Sequence, residues 1–100
     1  MAVGPRLIVS DLAEADLIKV IEFLDEQWSP ELAIRFVDSY YQKLDLIESM
    51  PSVGFLSEKV PDVRKVKIDK FNVICYEVNN QVITVLRIID TRSSPDTNPY

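Results

Sequence analysis

The sequence predicts an α+β fold: a short N-terminal strand, an antiparallel helical hairpin, then a three-stranded antiparallel β-meander, all in one curved sheet. Three observations predict it. Apolar residues recur with helical spacing through two consecutive segments between residues 11 and 48. Apolar and polar residues alternate from Arg64 onward, which is the period of a strand. The 100 residues are 47% hydrophobic, enough for one compact core and too few for two. Residues 1–92 are therefore read as one domain and residues 93–100, rich in Ser, Pro, Asp and Asn, as an irregular tail.

Arg6-Leu7-Ile8-Val9 is a short apolar run between Gly4-Pro5 and Ser10-Asp11, and reads as the first strand. Asp11 then suits a helix N-cap, with Glu14 completing a capping box and Asp16 complementing the helix dipole. Leu17, Val20, Ile21, Leu24 and Trp28 form one stripe of a helix running to about Gln27, with Trp28 as a packing residue. Asp16, Lys19, Glu22, Asp25 and Glu26 are expected to face away. Ser29-Pro30 starts a second helix, a capping hydroxyl followed by proline at the first helical position, where its missing N–H costs nothing. Ala33, Phe36, Val37, Tyr40, Leu44 and Ile47 make its stripe, and Pro51 and Gly54 end it.

Residues 50–62 carry Pro51, Gly54 and Pro61 without a clean period and read as a loop that Phe55 and Leu56 pin to the core. From Arg64, Val66 and Ile68 share one face while Lys65 and Lys67 take the other. Phe71 to Val78 is rich in β-branched and aromatic residues, Asn79-Asn80 invites the positive φ angles of a type I′ hairpin, and Val82 to Ile89 forms the last strand.

Charge is polarised along the chain. Residues 11–50 carry ten acidic against three basic side chains, whereas residues 58–92 carry seven basic against five acidic, within a net charge of −5. An overall acidic protein is a poor general phosphate binder, so sequence-specific nucleic-acid binding by the chain alone is not expected. No apolar run approaches the roughly 18 residues of a membrane span, and the N-terminus lacks a signal-peptide layout, so the expectation is cytoplasmic with no membrane partner. The one cysteine, Cys75, reads as a buried small hydrophobe. Without histidine, paired cysteines or a glycine-rich loop, the chain offers no metal constellation, no cofactor site and no small-molecule active site.

Several segments, in order, resemble the ParE/RelE superfamily of type II toxin–antitoxin toxins, and most closely its ParE-like plasmid stabilisation branch: Asp11-Leu12-Ala13-Glu14-Ala15-Asp16-Leu17, Phe23-Leu24-Asp25-Glu26-Gln27-Trp28, Ser29-Pro30-Glu31-Leu32-Ala33-Ile34-Arg35-Phe36, Met50-Pro51-Ser52-Val53-Gly54, Val63-Arg64-Lys65-Val66, Phe71 to Val78 and Val82 to Ile89. The resemblance implies a toxin held inactive by a ParD-like antitoxin from the neighbouring gene, in a hetero-oligomer, and acting by binding DNA gyrase. Relatives often follow the last strand with a histidine and consecutive arginines, whereas this chain reads Asp90-Thr91-Arg92-Ser93-Ser94. Two alternatives stay open: a RelE-type ribosome-dependent mRNA interferase, and a non-toxic homologue that keeps only antitoxin binding.

The candidate binding residues are Arg64, Lys65, Lys67, Arg87, Arg92 and Tyr41, with no catalytic residue assigned. Arg64 would contact target or antitoxin, or else tie the loop near Asp62 to the sheet. Arg87 interrupts an apolar strand and needs solvent or a carboxylate such as Glu77 across the hairpin. Lys65 and Lys67 would meet phosphates or acidic antitoxin residues, or only solvate a strand. Tyr41 would touch a partner in a helix groove while Tyr40 packs inside. A nuclease needs a base, a charge stabiliser and an acid around one phosphate; neither Tyr76 nor Tyr100 is flanked by a basic cluster that would supply them.

Overall fold

The computed structural model describes residues 4–92 and 99–100; most of the irregular tail expected over 93–100 lies outside the described residues. Element order is β1 (Arg6–Val9), α1 (Asp11–Gln27), α2 (Pro30–Ser49), β2 (Phe55–Leu56), β3 (Val63–Lys67), β4 (Asn72–Asn79) and β5 (Val82–Asp90). The strands make one sheet in the order β1-β5-β4-β3-β2. β1 runs parallel to β5, with Leu7 opposite Ile83 and Val9 opposite Val85, and the other pairings are antiparallel.

The expected α+β order holds, and the capping signal of α2 stands as read, whereas the Asp11–Glu14 capping box of α1 does not form. Ser29 caps α2, its hydroxyl accepting from the Leu32 N–H at 3.2 Å, with Pro30 at the first helical position. At α1 the cap is Ser10 rather than Asp11. The Ser10 hydroxyl accepts from the Ala13 N–H at 3.1 Å and donates to the Leu86 carbonyl at 2.9 Å, so one side chain caps the helix and ties it to β5. Asp11 lies one residue inside, where its charge still suits the helix N-terminus.

Both helices cover one face of the sheet. Ala13, Phe36, Tyr40, Leu44 and Ile47 meet Val66, Ile68, Ile74, Tyr76, Ile83, Val85 and Ile88, with Leu17, Val20, Ile21 and Leu24 at the margin. Strand parity puts a smaller cluster, Val63, Val73, Cys75 and Ile89, on the opposite face, with Val60, Leu86 and Tyr100 against it.

Three further expectations change. Phe55 and Leu56 do not enter the core: they form the two-residue edge strand β2 and remain 56% and 57% exposed, because pairing with Lys65 and Arg64 holds them at the end of the sheet. The tight turn falls on Asn80 and Gln81, with φ of 50° and 66°, one residue beyond the Asn79-Asn80 pair, because Asn79 still pairs with Val82. Trp28 is 67% exposed. It stands at the C-cap of α1, beyond the last turn whose stripe faces the sheet.

Candidate binding surfaces

Where β1 stops at Val9, the edge of β5 passes to α1. The Ser10 N–H donates to the Val85 carbonyl at 3.0 Å, the Ser10 hydroxyl takes Leu86, and Asp16 takes the rest. The β4–β5 register shifts here, Cys75 facing Arg87 and Tyr76 facing Val85, which leaves Leu86 without a cross-strand partner. The bulge sets Arg87 opposite Cys75, on the stretch of the β5 edge that β1 no longer covers, and from there its side chain reaches α1. Its Nε and Nη2 donate to the two Asp16 carboxylate oxygens at 2.7 and 3.0 Å, and the Ile88 N–H donates to the same carboxylate at 3.0 Å. Asp16 therefore does not face away, and Arg87 pairs with Asp16 and not with Glu77. The register explains the choice: Glu77 lies opposite Thr84, whereas Asp16, 71 positions away in the chain, meets the planar guanidinium fork with both oxygens.

At the other end of the sheet, Tyr76 is fully buried and its hydroxyl closes the loop after α2, donating to the Pro51 carbonyl at 2.7 Å and accepting from the Gly54 N–H at 3.0 Å. Burial raises its pKa, which keeps the proton on the donating oxygen. Arg64, directly opposite Tyr76, donates from Nη1 to the Ser52 and Gly54 carbonyls at 3.2 and 2.7 Å. It does tie a loop to the sheet, but the loop is 52–54 and not the one around Asp62.

Between α1, the start of α2 and the β3–β4 turn lies a groove of about 540 Å³. Phe23, 50% exposed, with Trp28, Leu32 and Phe71 supplies its apolar lining. Arg92 forms one rim: its guanidinium lies 4.2 Å from the Phe71 ring centroid and makes two bonds to Asp90, at 3.0 and 2.8 Å. Asp69 is occupied by its own turn, accepting from the Phe71 and Asn72 N–H groups at 2.8 and 2.9 Å. Lys19 also borders the groove.

The family model for the ParE toxin of type II toxin–antitoxin systems matches residues 7–95. This chain belongs to the ParE toxin family. It is accordingly a toxin of the type II toxin–antitoxin class. Among solved structures, a chain of the chromosomal ParDE system from P. aeruginosa superposes with a TM-score of 0.76 at 23% identity, covering 87% of this chain and 96% of that one. A chain of the RelBE2 toxin–antitoxin complex from Mycobacterium tuberculosis does so at 0.58 and 15% identity, covering 88% and 99%. At these identities the two likenesses support the α+β fold. A search of the curated proteins yields no match.

In this ParE-family chain the six candidate residues do not converge. Arg64 serves the 52–54 loop, and Lys65 and Lys67 share the helix-free face with Cys75 and Val73. Arg87 is engaged with Asp16, Arg92 borders the groove, and Tyr41 is exposed on α2, edge-on to Tyr40 at 5.3 Å. The apolar lining of the groove went unread in the sequence. Phe23 lies off the α1 stripe, and an aromatic residue off-stripe was the available signal. Among the described residues no helix is long and apolar enough to cross a membrane, and no three potential metal ligands gather.

Cys75 is buried, and burial pushes its thiol up to about 11. Because the native state favours the neutral thiol, its contribution to stability is whole below the ordinary value of 9.0 and is lost as pH rises toward 11. A thiol reagent at pH 8 should label Cys75 only as fast as the chain opens, and labelling within seconds would show that the smaller cluster is loose.

Proposed function

We propose that this ParE-family chain acts by binding, with DNA gyrase as its target, and that an antitoxin from the neighbouring gene neutralises it by laying an amphipathic segment into the α1–α2 groove. The groove carries the reading. Phe23, Trp28, Leu32 and Phe71 leave an apolar lining open to water, which a partner's apolar side chains would cover. Asp69 and Asp90 are already engaged, so Lys19 is the rim charge left to meet an acidic side chain of the partner. A binding mode is further supported by the positions of the polar groups that a nuclease would need. Arg87 is held by Asp16 and the Tyr76 hydroxyl by the 51–54 loop, so neither is aimed at a common phosphate. The helix-free face with Lys65 and Lys67 is the basic surface left for the target.

Expression of the chain alone should arrest bacterial growth, co-expression of the adjacent gene should relieve the arrest, and the purified chain should inhibit supercoiling by gyrase. Unimpaired growth, or cleaved messages with gyrase unaffected, overturns the proposal. In the complex, Phe23→Ala or Trp28→Ala should weaken antitoxin binding about tenfold or more, as for anchors at the centre of an interface. The thermal midpoint of the free toxin should barely change, because both side chains are exposed; equal affinity measured by calorimetry would place the antitoxin elsewhere.

A further inference from the structure

We propose that Arg64 anchors a second binding site at the β2 edge, which takes a carboxylate side chain carried beside an apolar residue on an extended segment of a protein partner. The guanidinium has three nitrogens, and only Nη1 is engaged, by the Ser52 and Gly54 carbonyls. Those two bonds fix the plane of the group. The Nε and Nη2 edge, the fork that holds a carboxylate through two parallel bonds, remains open. No carboxylate among the described residues pairs with Arg64. Beside it lies a cavity of about 290 Å³ lined by Pro51, Ser52, Leu56, Asp62, Arg64 and Val78. Leu56 and Val78 are exposed there and supply an apolar wall.

The surroundings select the partner. Asp62 offsets most of the local positive charge, and Lys65 and Lys67 project from the other face, so Arg64 belongs to no basic patch of the kind a nucleic-acid backbone requires. A single carboxylate with an apolar neighbour fits better. β2 is the last strand of the sheet, with Leu56 directly opposite Arg64. The Ser57 N–H donates to the Val63 carbonyl at 2.7 Å, and the antiparallel alternation then turns the N–H and C=O of Leu56 outward to the edge. An extended segment pairing there places its residue opposite Leu56 on the face of Arg64, about 10 Å away between backbones, within the combined span of an arginine and a glutamate side chain. This rests on the binding role expected of Arg64 and uses nothing of the α1–α2 groove, so its failure leaves the toxin reading intact.

The test is a titration of the full chain, followed through the Arg64 Nε–H resonance, with the capped tripeptide Leu-Glu-Val, its Leu-Gln-Val counterpart, and inorganic phosphate at matched ionic strength. The glutamate peptide should give a saturable shift at Arg64, the glutamine peptide should bind about tenfold more weakly or less, and phosphate should give no saturable shift. Arg64→Lys keeps a donor for the two loop carbonyls and removes the fork. It should leave the thermal midpoint nearly unchanged and weaken the glutamate peptide about tenfold. No saturable shift with the glutamate peptide, equal binding of the two peptides, tighter binding of phosphate, or full affinity in Arg64→Lys each overturns the proposal. Should the lysine variant fold poorly, comparison of the two peptides on the native chain decides alone.

Discussion

Replacing Asp16 by alanine is expected to cost about 3 kcal/mol of folding free energy, lowering the thermal midpoint of a chain this size by on the order of 15 °C. The carboxylate is only 11% exposed and accepts three hydrogen bonds, two from Arg87 and one from the Ile88 N–H. Its loss leaves a guanidinium, itself only 33% exposed, facing a helix with no counter-charge, and a strand N–H with no acceptor at the edge that β1 no longer covers. Asp16→Asn should fall between, since the amide oxygen still accepts from one donor. Pairing Asp16→Leu with Arg87→Met should recover part of the loss, because removing both charges removes the desolvation cost of each. Urea or thermal unfolding measures all four proteins. A loss below about 1 kcal/mol for Asp16→Ala would mean that the pair behaves as an ordinary surface bridge.

Gly54→Ala is the second large effect expected, again about 3 kcal/mol. A Cβ built on Gly54 lies 2.8 Å from the Lys65 carbonyl oxygen and 2.8 Å from the Tyr76 hydroxyl, closer than real Cβ contacts occur. The carbonyl belongs to the β3 backbone and the hydroxyl is fixed between Pro51 and Gly54, so neither yields cheaply. Tyr76→Phe alone should cost about 2 kcal/mol by stranding the Gly54 N–H and the Pro51 carbonyl. The two changes should not add. With the hydroxyl gone, one of the obstacles to the new methyl group is gone too, so Gly54→Ala should cost less in the Tyr76→Phe background than in the native one. Additive losses in a double-mutant cycle would mean that the Lys65 carbonyl alone rejects the side chain.

Much of the architecture was legible because it is written in short-range patterns. The stripe of Leu17, Val20, Ile21 and Leu24 and the stripe from Ala33 to Ile47 each repeat with the helical period, and Ser29-Pro30 announces its own helix start. The parity of Arg64, Lys65, Val66 and Lys67 assigned faces correctly because a strand has no freedom to do otherwise. The candidate site was legible only in part. Trp28 looks like one more member of a core stripe, because an apolar residue left exposed has the same chemistry as one buried in the core. Whether it is covered depends on where the helix ends relative to the sheet.

The sequence by itself determined two helices, the meander, and a family likeness spread over nearly the whole chain. Tertiary structure alone decided which groups meet across long separations. It set β1 parallel to β5, gave Arg87 to Asp16 across 71 positions through a bulge at Leu86, and made Phe55 and Leu56 an edge strand. It left Phe23, Trp28, Leu32 and Phe71 around one open groove. The reason is physical. Periodicity and capping act within a turn or two of the chain, whereas an ion pair or a groove depends on how rigid elements pack, which no local pattern encodes.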